Sequence, residues 1–207
     1  MIEGIYDYCH RWCERCPFTS QCALAQMESA FPSGEPFEDT LERVDQMMAD
    51  AQELMLFRAL EAGIDLSEPR PVPPEVLDDP LRDRAMLWSL DCYQWLQRHE
   101  SRALSPAARE AIDIVRWYHT LVATKVARAV AQSIDDWDGY GHVDAAGSAK
   151  VAWLGLGQMI TALSEAYEAF GADPHTLQIL LDTHALSHAV DRAFPAHRDF
   201  KRAGWDS

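Results

Sequence analysis

SPAAREAIDIVRWYHTLVATKVARAVAQS, residues 105–133, is the stretch that most clearly indicates how this chain folds. It starts with Ser105 and Pro106, a hydroxyl side chain that can cap a helix followed by the residue preferred at the first helical position. One stripe with spacings of three and four is apolar apart from a single histidine, and it comprises Ile112, Val115, His119, Val122, Val126 and Ala129. The stretch therefore predicts a long amphipathic helix that buries one face.

Four more patterns of the same kind occur along the chain. Helices are predicted at about 38–62, 79–99, 144–170 and 174–194, the last again opened by an aspartate and a proline. SEPRPVPPEV, residues 67–76, carries four prolines and predicts a rigid linker. Because no alternating β-branched run has the length of a strand, the predicted fold class is all-α. We expect a four- to five-helix bundle over residues 37–207, preceded by a cysteine-rich metal-binding segment at residues 1–30.

The composition restricts the partners and the compartment. Acidic residues outnumber basic residues by 33 to 18, which gives a formal net charge of −15. This charge repels nucleic-acid phosphates and anionic lipids, so we expect neither nucleic acid nor a membrane as a partner. No apolar run of about 18 residues is present, and the N-terminus lacks the pattern of a secretory signal. We therefore expect a cytoplasmic protein, in a reducing compartment where disulfides are rare.

Four of the five cysteines are crowded into the N-terminal stretch YCHRWCERCPFTSQC. They are Cys9, Cys13, Cys16 and Cys22, with the spacing Cys-x3-Cys-x2-Cys-x5-Cys. Closely spaced thiols in a reducing compartment are hard to explain as core residues and are typical of ligands to one metal centre. The fifth cysteine, Cys92, lies beside apolar residues in a helical pattern and is predicted to be a buried apolar side chain.

The kind of metal depends on the backbone between these cysteines. On a helix, Cys9, Cys13 and Cys16 share one face, and Pro17 ends the helix so that Cys22 can fold back as a fourth ligand. Helical positions seven residues apart are separated by about 10.5 Å along the axis, whereas two thiolates on one zinc ion lie within about 4.6 Å. A four-iron cluster accepts wider spacing, so the pattern favours a [4Fe-4S] iron–sulfur cluster. Zinc is the alternative, and it requires the helix to break between Cys13 and Cys16.

The helix at 105–133 also carries a candidate ligand-binding pocket. His119 lies in its apolar stripe, and Lys125 lies on an adjoining stripe with Tyr118 and Arg128. Lys150, near the start of the next helix, can point towards them, so His119, Lys125 and Lys150 form a candidate cofactor-binding pocket. The alternative is that His119 is a core residue hydrogen-bonded to a neighbouring helix.

A second group of candidate ligands lies on the last predicted helix. His184, His188 and Asp191 have the i, i+4, i+7 spacing that places two imidazoles and a carboxylate on one face. Such a set can bind a metal ion. Because two histidines four residues apart occur often by chance, a solvated or capping role is the favoured interpretation.

The stretches WYHTLVATKVARAV (117–130) and AAGSAKVAWLGLGQ (145–158) contain the motifs Trp-Tyr-x6-Lys-x2-Arg-Ala and Gly-Ser-Ala-Lys-Val-Ala. These two stretches resemble a family of bacterial α-helical proteins in which the same motifs follow each other in this order and which also have such an N-terminal cysteine segment. The likeness extends to the C-terminal FKRAGWD (200–206). The resemblance implies a helical fold and a bacterial origin, but no activity, because none is established for the family. The spacing of the first three cysteines is also similar to that of radical-SAM enzymes, whose β/α barrel requires strands that this sequence does not predict.

These patterns together predict a metal-binding helical protein with a redox, sensing or accessory role. Two alternatives stay open: a small-molecule-binding or regulatory bundle in which zinc only holds the N-terminal segment, and an enzyme that uses a pocket at His119 and Lys125. Met47, Met48 and Met55 indicate apolar surface for a protein partner or a homodimer, although core packing explains them equally well.

Overall fold

The computed structural model of the chain describes residues 1–29, 37–61, 63, 71–101, 105–136 and 139–206. All regular structure within these ranges is helical and no strand is present in them, which confirms the predicted all-α fold. The chain divides into two compact units, and the unit that holds the cysteines comprises Met1–Ala23 and Pro73–Ser207. The other unit is Leu24–Val72.

The helices follow the predicted order. They are α1 (Ala23–Ser29), α2 (Phe37–Glu61), α3 (Pro74–Leu77), α4 (Pro80–His99), α5 (Pro106–Ile134), α6 (Gly141–Ala169) and α7 (Pro174–Ala193). The five long helices predicted from the sequence are therefore confirmed to within a few residues. Helix α1 was not predicted, and α3 is a single turn at the end of the proline-rich stretch that was predicted to be a linker.

Three of the long helices begin with the same N-terminal capping arrangement. Asp79, Ser105 and Asp173 each precede a proline at the first helical position and accept hydrogen bonds from backbone amides of the first turn. These side chains satisfy amides that have no partner within the helix. Short polar residues followed by proline thus fix the starts of α4, α5 and α7.

Helices α4 to α7 form a four-helix bundle. Helix α5 packs against α4 and α6, and α7 closes the ring by packing against both α6 and α4. The predicted apolar stripe of α5 is buried along its whole length, from Ile112 to Ala129. It meets a core of fully buried side chains that includes Trp95, Leu156, Met159, Leu163, Ile179, Leu186 and Val190.

Two buried hydrogen bonds connect α4 with α7. The indole nitrogen of Trp88 donates to Thr183 Oγ1 at 2.9 Å, and that of Trp95 donates to Thr176 Oγ1 at 2.8 Å. The two tryptophans are seven residues apart, and so are the two threonines, so the pairs repeat after two helical turns of an antiparallel pair. Burying a tryptophan requires a partner for its N–H group, and the threonines provide it.

The second unit is described by itself. Its helix α2 carries large apolar side chains that are exposed to solvent, and they are Leu41, Val44, Met48, Met55, Leu56, Phe57 and Leu60. The side chains of Met47 and Leu54, on the same helix, lie outside the part of the chain that the structure describes. In the described part of the chain, no helix combines the length and the apolar character needed to cross a membrane.

Replacing Thr183 by valine tests the connection between α4 and α7. Valine preserves the shape of the side chain but leaves the buried Trp88 N–H group without an acceptor, so we expect the free energy of unfolding to fall by about 1–3 kcal/mol. Chemical denaturation measures this loss. Thr161→Val is the control, because the Thr161 hydroxyl is exposed and bonds only to the Gly157 carbonyl of its own helix. Equal effects of the two substitutions would contradict the assignment.

Candidate functional site

The backbone of the cysteine segment differs from the predicted helix. Regular structure is limited to two short 3-10 turns at Cys13–Arg15 and Thr19–Gln21. Arg11 has a left-handed φ of 58°, and Cys16 is extended with a ψ of 126°. Both conformations are incompatible with a helix, and the proline that follows Cys16 favours the extended one. The prediction that Cys9, Cys13 and Cys16 share one helical face is therefore wrong.

The four N-terminal cysteines are thiols, and none of them forms a disulfide. Cys9, Cys13 and Cys16 are half-buried, and Cys22 is buried. The Arg11 amide donates to the Cys9 sulfur at 3.4 Å, and the amide two residues after Cys16 donates to the Cys16 sulfur at the same distance. Among the described side chains, no three histidine, cysteine, aspartate or glutamate groups are arranged so that they could hold a metal ion.

Stacked aromatic side chains attach the cysteine segment to α5. The Trp12 and Trp117 rings are nearly parallel, with centroids 5.1 Å apart, and the Trp117 indole donates to the His10 carbonyl at 2.8 Å. The guanidinium of Arg15 lies 4.0 Å from the centroid of the Trp12 ring and forms an ion pair with Glu110 on α5. Ring stacking and an ion pair thus both hold the stretch between Cys9 and Cys16 against the bundle.

Tyr8, the residue before Cys9, attaches the segment to α6. Its hydroxyl donates to Asp144 Oδ1 at 3.1 Å, and its ring packs edge-on against Phe200 at 4.8 Å. Burial and the neighbouring Asp144 carboxylate raise the pKa of Tyr8 to about 12. The ring lies so close to Gly147 that a β-carbon there would overlap with it. Gly147 therefore creates the space in which Tyr8 binds.

The C-terminal stretch covers the other side of the segment. The Trp205 ring lies between His10 and Phe18, with centroid distances of 5.0 Å and 4.9 Å. Its indole nitrogen donates to the Ile5 carbonyl at 3.3 Å. The residues that carried the family resemblance, on α5, on α6 and at the C-terminus, are thus brought together around the cysteine segment. Because these residues are far apart in the sequence, no local pattern predicted that they would meet.

The structure places the three candidate pocket residues on two sides of α5. The His119 ring points to α4, where Nδ1 lies 3.0 Å from Ser89 Oγ and 3.2 Å from the Ser89 carbonyl. Burial lowers the pKa of His119. Lys125 instead lies beside Tyr8, with its nitrogen 5.9 Å from the ring centroid. Lys150 lies in the neighbourhood of Asp206, whose pKa is lowered chiefly by the hydrogen bond from Arg202 and to a smaller extent by the charge of Lys150. A common ligand pocket of these residues stays a prediction.

The remaining candidate ligands have other surroundings. His184 and His188 are exposed, whereas Asp191 accepts a hydrogen bond from His197 Nε2 at 2.9 Å and forms an ion pair with Arg198. These contacts, chiefly the bond from Arg198, lower the pKa of Asp191 to about 2. Cys92 is completely buried, as predicted, and burial raises the pKa of its thiol.

Comparison with models of protein families, with curated proteins and with solved structures found no match. The resemblance to bacterial helical proteins therefore stays a prediction.

Gly147→Ala tests whether α6 makes room for the cysteine segment. Alanine normally stabilises a helix by about 1 kcal/mol relative to glycine, but here its methyl group would displace the Tyr8 ring. We expect faster proteolysis of the N-terminal segment and higher reactivity of its thiols. Gly157→Ala is the matched control on the same helix, because no atom lies within 4 Å of a β-carbon there. If both variants behave alike, Gly147 does not hold the segment.

His119→Gln tests whether burial between α4 and α5 lowers the pKa of His119 and so makes the stability of the protein depend on pH. An unfolded histidine has a pKa of about 6.5, and the folded pKa is lower, so the unfolded state binds the proton more readily. The free energy of unfolding of the wild type should therefore fall as the pH decreases below about 6.5. His119→Gln should reduce this slope, because glutamine does not take up a proton. Chemical denaturation at a series of pH values measures the slope. An unchanged slope in His119→Gln would contradict the lowered pKa of His119.

Proposed function

We propose that this is a cytoplasmic metal-binding protein in which Cys9, Cys13, Cys16 and Cys22 hold one metal centre with a redox, sensing or accessory role. The observation that carries the proposal is the pair of amide-to-sulfur hydrogen bonds at Cys9 and Cys16. An N–H group directed at sulfur stabilises the thiolate, which is the form that binds metals. A thiol that only fills apolar space has no need of such a donor.

The attachment of the segment also supports the proposal. Metal ligands must be held close to their binding geometry by contacts outside the centre. The aromatic contacts of Tyr8, Trp12 and Trp205 provide this support by joining the cysteine segment to α5 and to the C-terminal stretch. Coordination still requires the thiol side chains to turn towards a common point, because no ligand set is assembled among the described side chains. Binding of a metal would then order the segment further.

An iron–sulfur cluster is the first candidate for the centre. Three of the four sulfurs are half-buried rather than enclosed, which suits a cluster that exchanges electrons with a partner. When bound, such a cluster would supply one-electron transfer. A redox or accessory role also requires a protein partner, or a second copy of this chain, that approaches these sulfurs.

Zinc is the second candidate, and the backbone favours it more than the sequence did. The preference for iron was based on a helix that separates Cys9 from Cys16 along its axis. That helix is replaced by an extended residue and short turns, so the objection to a tetrahedral four-thiolate site no longer holds. A zinc centre would cross-link the segment and thereby hold it on the bundle.

Elemental analysis of oxygen-free protein tests the proposal. An iron–sulfur protein should be brown, contain about four iron atoms per chain and absorb at about 400 nm. A zinc protein should be colourless and contain about one zinc ion per chain. Serine substitutions of Cys9 and Cys16 should each remove most of the metal in either case, because serine is a poor ligand for both.

Cys92→Ala is the matched control for these substitutions. It also removes one thiol, but from the interior of the bundle, where Cys92 is completely buried. The variant should keep the metal content of the wild type. Wild-type protein that contains no metal after oxygen-free purification, or metal content that survives both serine substitutions, would refute the four-cysteine centre.

A further inference from the structure

Helix α4 carries an apolar ridge that faces solvent. Each residue of the ridge has an exposed fraction between 45% and 64%, and the residues are Met86, Leu87, Leu90 and Tyr93. Their spacings of three and four place them next to one another on the helix surface, away from the face on which Cys92 and Trp95 are completely buried. Contiguous apolar surface of this kind marks interaction sites in globular proteins.

A cleft between α4 and α7 borders the ridge. It has a volume of about 430 Å³ and is lined by Pro80, Asp83, Arg84, Leu87, Trp88, Asp91 and Asp182. Leu87 belongs to both the ridge and the cleft, so the two form one continuous surface. Pockets of about 300–1,000 Å³ are large enough to enclose a small molecule, and the cleft therefore has room for apolar side chains of a partner.

The lining of the cleft is acidic. The three carboxylates of Asp83, Asp91 and Asp182 and the single guanidinium of Arg84 give the lining a net charge of −2. Arg82 lies 3.3 Å from Asp83, whereas Asp91 and Asp182 form no ion pair within the ranges that the structure describes. Because the chain as a whole has a net charge of −15, the local charge and the long-range field both attract a cationic partner.

The extent of the apolar surface decides between kinds of partner. A small molecule would fill the cleft but leave the ridge in water, since the ridge runs for about 10.5 Å along the axis from Met86 to Tyr93. A second helix with apolar residues at spacings of three and four covers such a ridge along its length. A second copy of this chain is a poorer match, because pairing of identical surfaces brings the carboxylates of Asp91 and Asp182 towards each other.

We propose that the ridge and the cleft are the docking surface for a basic amphipathic helix of a partner protein. Apolar side chains of that helix would cover Leu87 and Leu90, and one of them would enter the cleft beside Trp88. Its lysines or arginines would face Asp91 and Asp182, where they orient the helix and speed its association. This surface lies on α4 and α7, and its role does not depend on whether the cysteines hold a metal.

Fluorescence anisotropy of a labelled model peptide tests the apolar part of the proposal on the full-length protein at low ionic strength. The probe is a helical peptide of leucine and lysine, with its leucines at spacings of three and four. Two peptides serve as controls: one has glutamate in place of lysine, and the other has the same composition in scrambled order. We expect only the amphipathic lysine peptide to bind. Leu90→Ser should weaken this binding by about fivefold or more and preserve thermal stability, because Leu90 is exposed.

A matched pair of double variants tests the charges. Asp91→Asn combined with Asp182→Asn should weaken binding of the lysine peptide by about tenfold and reduce its dependence on salt. Glu165→Gln combined with Glu168→Gln removes the same charge from exposed positions on α6 and should change the affinity by less than about twofold. Equal losses in the two double variants would show that the peptide responds only to net charge, and would overturn the proposal.

The remaining outcomes are equally decisive. The proposal fails if the lysine peptide does not bind, if the scrambled peptide binds as tightly, or if Leu90→Ser leaves the affinity unchanged. Sedimentation velocity of the wild type and of Leu90→Ser examines the second copy as the occupant. A wild-type dimer that becomes monomeric in Leu90→Ser would assign the surface to self-association and would likewise overturn the docking of a basic helix.

Discussion

The rest of the site depends on one constraint. Small residues on α6 allow side chains of neighbouring segments to approach this helix closely. From Ala145 to Ala152 the buried residues of this helix are alanine, glycine, serine and one valine. Large side chains there would hold neighbouring groups away, because protein interiors have no spare volume. Instead the Tyr8 ring packs onto Gly147, and Tyr118 and Val122 of α5 approach Gly155 closely. The terminal segments can therefore pack on the bundle and bring the cysteines with them.

The cysteine segment combines weak local structure with strong attachment. Its short turns contribute little stability by themselves, since isolated helical turns are marginal in water. Contacts with distant parts of the chain hold it: Trp117 on α5, Asp144 on α6 and Trp205 near the C-terminus. A segment held in this way keeps its place on the bundle without a long helix of its own. The proposed metal centre would use this placement, since binding of a metal would draw its ligands together.

Local sequence signals were sufficient for the five long helices and insufficient for the site. The serine or aspartate before a proline predicted the starts of α5 and α7, because capping involves neighbouring residues only. The same kind of reasoning failed at Cys9–Cys16, where spacing indicated a helical face but the backbone turns at Arg11 and extends at Cys16. Likewise, His119 and Lys125 are six residues apart on one helix, yet one contacts α4 and the other lies beside Tyr8.

The sequence by itself determined the all-α class and the bounds of the five long helices. These follow from capping, periodicity and side-chain chemistry, which act over a few residues. Only the tertiary structure decided that the tryptophans of α4 pair with the threonines of α7, and that α5, α6 and the C-terminal stretch meet at the cysteine segment. Such contacts join residues that are about 80 to 200 positions apart. Their formation depends on how whole helices pack, and no local pattern records it.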